Sequence, residues 1–176
     1  KKEAQAKGIL DRDPAMLQRL QVVVKKLIPQ TTIFRKDAGQ WQWEVHLISS
    51  KEINAYCMPG GKIIFYTGLI ETLKLNDAQI AAVMGHEIAH ALREHGRERM
   101  SEEILKQIGL MALAASGKID QKTAIALNAV STVMISLPHG RGQESEADEI
   151  GTELMARAGY NPHEALELWK KMGEQA

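Results

Sequence analysis

The chain has 176 residues, 44% apolar and 25% charged, and its 22 basic and 22 acidic side chains leave a formal net charge of zero. That size suits one domain with a real core, spanning residues 1–176, and the composition is that of an ordinary globular protein. No basic patch or aromatic platform points to nucleic acid, and the lone cysteine, Cys57, excludes an internal disulfide.

The opening Lys1-Lys2-Glu3 carries neither an initiator Met nor a signal segment and suits a mature or trimmed chain. Over residues 12–28, Met16, Leu17, Leu20, Val23, Val24, Leu27 and Ile28 recur at helical spacing, and Pro29 ends the helix. Trp41, Trp43, Val45 and Leu47 then alternate with Gln42, Glu44 and His46, the period of a half-buried strand. His46 falls on its polar, solvated side. Two further strands, 53–58 and 62–66, are joined by Pro59-Gly60-Gly61, a turn with its glycines in place. Cys57 reads as a small buried apolar residue between Tyr56 and Met58.

A helix follows over about residues 77–99. Asn76 and Gln79 form a capping-box start, and Ile80, Val83, Met84, Ile88 and Leu92 give it an apolar face. It carries His86-Glu87-Ile88-Ala89-His90, the HExxH pattern. Residues four apart lie about 400° around the axis, so both imidazoles leave one face and can grip one zinc ion. Glu87, offset by about 100°, stands beside the metal, where it can accept a proton from water. Gly85 would let another backbone approach closely. His95 lies off the ligand face.

Two greasy helices are expected at 101–116 and 120–137, the first stopped by Gly117. Neither has the run of about 20 apolar residues that spans a membrane. Core packing is the expectation, with an apolar flank against a membrane or partner as the alternative. Pro138 to Gly142 reads as a loop, and Asn161-Pro162-His163-Glu164 as the capped start of a last helix with His163 at the surface.

A catalytic zinc usually takes three protein ligands and keeps one open position. Glu144 and Asp148 are four apart on a downstream helix. They suit a metal ligand and a carboxylate that steadies a His ring through its other nitrogen. Glu146 is the rival ligand, about 200° around the axis from Glu144, with no acidic residue four further on. His139, Arg141 and Tyr160 are candidates for a second oxyanion donor or for the cleft wall.

The run Arg-x-x-Glu-x-Glu-Ala-Asp-x-x-Gly, Arg141 to Gly151, after HExxH resembles the bacterial HtpX-like and CAAX-prenyl-endopeptidase family of gluzincin metallopeptidases, above all its periplasmic branch. The upstream segment Asn54 to Leu69, with Asn-Ala-aromatic, Pro-Gly-Gly and Thr-Gly-hydrophobic pieces, is similar to a segment of the same family. The resemblance covers residues 50 to 160. It implies zinc on His86, His90 and Glu144 with Glu87 as base. It also implies a hairpin whose edge strand, at Asn54 and Ala55, lines the cleft and pairs with the substrate backbone. A periplasmic quality-control endopeptidase near outer-membrane assembly is its functional implication.

The expected fold is α+β, a zincin-like metallopeptidase domain that is mostly helical with a small mixed sheet and an HExxH helix. The expected activity is zinc endopeptidase action on proteins. The alternative is a latent peptidase, its metal blocked by His139, that works as a zinc-bearing chaperone or assembly factor. A purely structural metal module fits less well, since closed structural sites use four ligands and favour Cys.

Overall fold

A computed structural model of the chain describes residues 8–95, 105, 108–118, 120, 122–123 and 141–174. Two compact units divide it, one of Lys1–Arg93 with Glu144–Ala176 and one of Glu94–Gln143.

In the larger unit, Asp13 starts helix α1 (Pro14–Leu27) by accepting from the Met16 N–H at 3.0 Å, with Pro14 at the first position. Leu20, Val23, Val24 and Leu27 are its buried face. The chain then tightens into 3-10 turns over Ile28–Ile33 and Lys36–Gln40. Strand β1 begins only at Glu44 and runs to Ile48. The Trp41 and Trp43 half of the predicted strand lies before it, because the Trp41 N–H and the Trp43 indole both bond the Ala38 carbonyl.

Strands β2 (Ala55–Met58) and β3 (Lys62–Tyr66) form the expected hairpin across Pro59-Gly60-Gly61, with both glycines at positive φ. The sheet order is β1-β3-β2, parallel for the first pair and antiparallel for the second. Val45, Leu47, Ala55, Cys57, Ile63 and Phe65 turn one sheet face to the main core, and Tyr56, Ile64 and Tyr66 turn the other to a small cluster with Ile9 and Leu10.

The two outer edges of this sheet differ. Residues 9–11 run antiparallel along β1, with the Asp11 N–H on the Leu47 carbonyl and the Ser49 N–H on Ile9. The Asp11 carboxylate accepts from the Leu47 N–H at 2.7 Å and meets His46 Nδ1 at 2.8 Å. His46 is therefore held rather than solvated. Its partner lies 35 residues away, beyond the reach of any local pattern. Strand β2, in contrast, pairs only with β3 among the described residues. Asp11→Ala would orphan the Leu47 amide and release His46. The expected loss is about 1–3 kcal/mol, read as a lower urea midpoint.

A short helix, α2 (Thr67–Thr72), leads to the motif helix α3 (Asp77–Leu92). The Asn76–Gln79 capping box is formed in both directions. Helix α3 stops at Leu92 and not at residue 99, because Glu94 takes a left-handed φ of 53° and the Arg35 guanidinium takes the Leu92 carbonyl at 3.2 Å. Helices α4 (Arg141–Arg157) and α5 (His163–Glu174) complete the described elements. Arg141 and Gly142 are already helical, where a loop was expected. Asn161 caps α5 through the His163 N–H, but Glu164 does not close a capping box. Its carboxylate reaches across to Asn76 and Gln79 and ties α5 to the start of α3. His163 is exposed, as expected.

The core gathers Leu20, Leu27, Leu47, Ile63, Phe65, Ile80, Met84, Ile88, Leu154, Met155 and Leu168, all fully buried. Each contributes about 1.5–3 kcal/mol of burial. A helical, α+β architecture with a small mixed sheet is what the sequence led us to expect.

In the smaller unit, residues 108–115 are helical and Gly117, at φ 75°, follows their end. Leu105, Ile108 and Met111 are 69%, 58% and 72% exposed, so their side chains do not enter a core. His95 is buried. The second predicted helix, 120–137, lies almost wholly outside the described residues. Among those residues no helix is long and apolar enough to cross a membrane.

Candidate metal centre

The site is built where α3 and α4 touch backbone to backbone. A Cβ on Gly85 would lie 2.7 Å from the Gly151 carbonyl oxygen, and a Cβ on Gly151 would lie 2.7 Å from the His86 nitrogen. Only hydrogens in place of side chains permit this approach. It sets the first turns of α4 directly over the His face of α3.

Glu144 then reaches both imidazoles. Its two carboxylate oxygens lie 3.0 Å from His86 Nε2 and 3.0 Å from His90 Nε2, and the two Nε2 atoms are 3.1 Å apart. One donor atom from each residue falls within a 4.8 Å cluster, the two His buried and Glu144 half-buried. Tetrahedral coordination with bonds of about 2.0–2.1 Å has an edge of roughly 3.4 Å. The three donor atoms therefore already stand near the separations such an ion requires. Two buried imidazole nitrogens facing each other beside a carboxylate are also the donor set that zinc favours.

Asp148, one turn after Glu144, brings Oδ1 to 2.8 Å from His86 Nδ1. The approach is off the ring N–H direction, so the atoms are in contact yet neither has a hydrogen-bond partner. Glu146 faces elsewhere, with its carboxylate 3.3 Å from the Arg93 guanidinium.

Glu87 stands half-buried beside this cluster. Burial, and then the nearby Glu144 charge, push its carboxyl up to about 8. A carboxylate so displaced is a stronger proton acceptor than a solvated one. Burial also raises the Cys57 thiol, with Glu87 as the second cause. Cys57 thus lies on β2 within the field of Glu87 and is inert as a nucleophile.

The register defines what β2 offers. Asn54 spends its carbonyl on the Tyr66 N–H, and pairs alternate from there along the hairpin. Asn54, Tyr56 and Met58 point their backbone groups at β3. Ala55 and Cys57 point theirs outward. Of the two expected strand residues, Ala55 faces the edge that no described strand pairs with, and Asn54 faces β3.

Three other candidates were named from the sequence. Tyr160 packs beside Lys26, whose ammonium lies 5.2 Å from its ring centroid, and its hydroxyl is raised by burial and by Asp77. Asp77 opens α3, nine residues and about 13 Å of rise before His86. Arg141 is exposed at the first residue of α4 and belongs to the other unit. His139 lies outside the described residues.

One neighbour was not foreseen. The Trp169 ring, on α5, meets the His86 ring edge to face at 5.5 Å between centroids. Ala165, Leu168 and Met172 make the apolar face of α5, and Trp169 stands beside that stripe among lysines. Four residues after Ala165, it is in phase with that face, so its spacing reads as core packing and gives no sign of His86.

A model of peptidase family M48 matches residues 14–175. The chain is 36% identical over 132 residues to the mitochondrial metalloendopeptidase OMA1 of Arabidopsis thaliana, covering 75% of this chain and 26% of that protein. To OMA1 of Saccharomyces cerevisiae it is 30% identical over 138 residues, 74% of this chain and 37% of that one. To the beta-barrel assembly-enhancing protease of Escherichia coli (strain K12) it is 24% identical over 174 residues, 95% of this chain and 34% of that one. The chain thus spans 26% to 37% of the length of these three relatives. A match running from the first residue of α1 through the last helix takes in every element that shapes the cluster, and the chain belongs to peptidase family M48.

Proposed function

We propose that this chain is the catalytic domain of a zinc endopeptidase that cuts unfolded or misassembled proteins. The observation that carries this is the meeting of His86, His90 and Glu144 donor atoms within 4.8 Å beside a half-buried Glu87. His86, His90 and Glu144 would hold the ion, with Asp148 in contact with the far side of the His86 ring. Zinc in such a site lowers the pKa of water to about 7 and polarises a peptide carbonyl.

Glu87 accepts the proton of the attacking water and delivers it to the leaving nitrogen. The substrate backbone adds to the open side of β2, where the outward N–H and C=O groups of Ala55 and Cys57 receive it. Recognition through main chain accepts any extended segment, which fits unfolded chains better than folded ones. The similarity to a beta-barrel assembly-enhancing protease supports a periplasmic setting with outer-membrane assembly components as partners.

The test is elemental analysis of wild type and Glu144→Ala, purified side by side without chelators. One zinc per wild-type chain, lost or much weakened in the variant, is the expected result. Wild type that takes up no zinc even when resupplied would end the peptidase reading.

A further inference from the structure

We propose that Trp169 is a positioning residue for His86, setting the plane of that ring before metal arrives. This rests on His86 being a ligand, as proposed above. The terminal torsion of a histidine is broad and roughly two-fold, so a ring in a ligand site needs outside contacts to choose its plane. A hydrogen bond to the far nitrogen usually does this. Here that bond is out of line, since Asp148 Oδ1 touches Nδ1 at 2.8 Å without hydrogen-bond geometry.

Among the described residues, two ring-to-ring contacts remain. His90 meets the His86 ring at 4.7 Å between centroids and 82° between planes, and Trp169 meets it at 5.5 Å and 71°. Both are edge-to-face geometries, which aromatic rings prefer. His90 is itself a ligand on the same helix. Trp169 is the contact supplied by a separate element, and that element is fixed: Glu164 bonds Asn76 and Gln79, while Lys171 bonds Gln79 at 2.7 Å. The indole is 38% exposed and His86 only 6%, so the contact lies at the margin of the core. An element pinned to the start of α3 thus carries the ring that orients a ligand two turns further along.

The experiment compares metal-free wild type, Trp169→Ala and Trp169→Phe in zinc titrations against a chelating dye. Trp169→Ala should bind zinc about 10-fold or more weakly, the usual effect of removing a residue that orients a ligand. Trp169→Phe, which keeps an aromatic edge, should recover most of the affinity. A second readout uses Co2+, whose open d shell quenches nearby indoles. Wild-type emission should be quenched at one equivalent, and Trp169→Phe, retaining only Trp41 and Trp43, should be quenched far less.

Wild-type affinity in Trp169→Ala would overturn the proposal while leaving the metal site intact. If Trp169→Ala does not fold, unquenched wild-type emission with Co2+ bound would overturn it instead. A wild type that binds no metal would overturn the metal reading, and this inference with it.

Discussion

Glu87→Gln is expected to lower peptide hydrolysis by about 10²–10⁴-fold, the usual range for a lost general base, with zinc stoichiometry unchanged. Glutamine matches the shape of glutamate, so the half-buried pocket beside Cys57 and Glu144 keeps its packing. What it removes is the ability to take a proton. The donor atoms of His86, His90 and Glu144 do not include Glu87, so metal uptake should be indifferent to the change. Assay of an unfolded protein substrate, with elemental analysis of the same preparation, separates the two effects. Turnover at the wild-type rate would remove Glu87 from the mechanism.

The second large effect is expected at Gly151. A Cβ there would lie 2.7 Å from the His86 nitrogen, 2.8 Å from its Cα and 2.9 Å from the Gly85 carbonyl carbon. These are backbone atoms in the middle of a helix and cannot swing aside. Helices α3 and α4 must separate, and Glu144 and Asp148 ride on the part that moves. Gly151→Ala should therefore cost about 1–3 kcal/mol of stability by overpacking, set against the roughly 1 kcal/mol that alanine returns in helix propensity. The larger consequence is at the metal, where zinc affinity should fall by at least about 10-fold. Gly85→Ala should behave alike, since its Cβ would meet the Gly151 carbonyl oxygen at 2.7 Å. Urea unfolding and zinc competition measure both quantities. An alanine variant that binds zinc as wild type would show that the helices tolerate a wider crossing.

What the sequence made legible was local in origin. The Asn76–Gln79 capping box, the two-stranded hairpin with its glycines, and the shared faces of His86 with His90 and of Glu144 with Asp148 all follow from spacings of four residues or fewer. Gly85 could be read as a point of close approach, although its partner Gly151 could not. The features that escaped depend on distant pairings. His46 was expected in water because its alternation is polar, and Asp11 claims it from another segment. Helix α3 was drawn through residue 99 because its apolar period gives no warning of the left-handed turn at Glu94 or of the Arg35 cap. Tyr160 finds Lys26 and the field of Asp77, partners that lie far from it in the sequence. Trp169 was invisible as a neighbour of His86 because α5 is anchored by Glu164 to a helix 85 residues earlier. The outward aim of Ala55 and Cys57, and not of Asn54, is fixed by hairpin register, which composition does not encode.

The strip of residues 9–11 along β1 has a meaning for how copies of this protein meet. An unpaired strand that welcomes extended chains also welcomes the same strand from another copy. A sheet open on both sides would let that meeting repeat, each molecule gripping one neighbour to the left and one to the right, with fibre growth as the outcome. Here one side is already occupied by residues 9–11. Contact through β2 can join two molecules and then has nowhere to continue. The covered edge would act as a chain terminator, holding any pairing through β2 to two molecules.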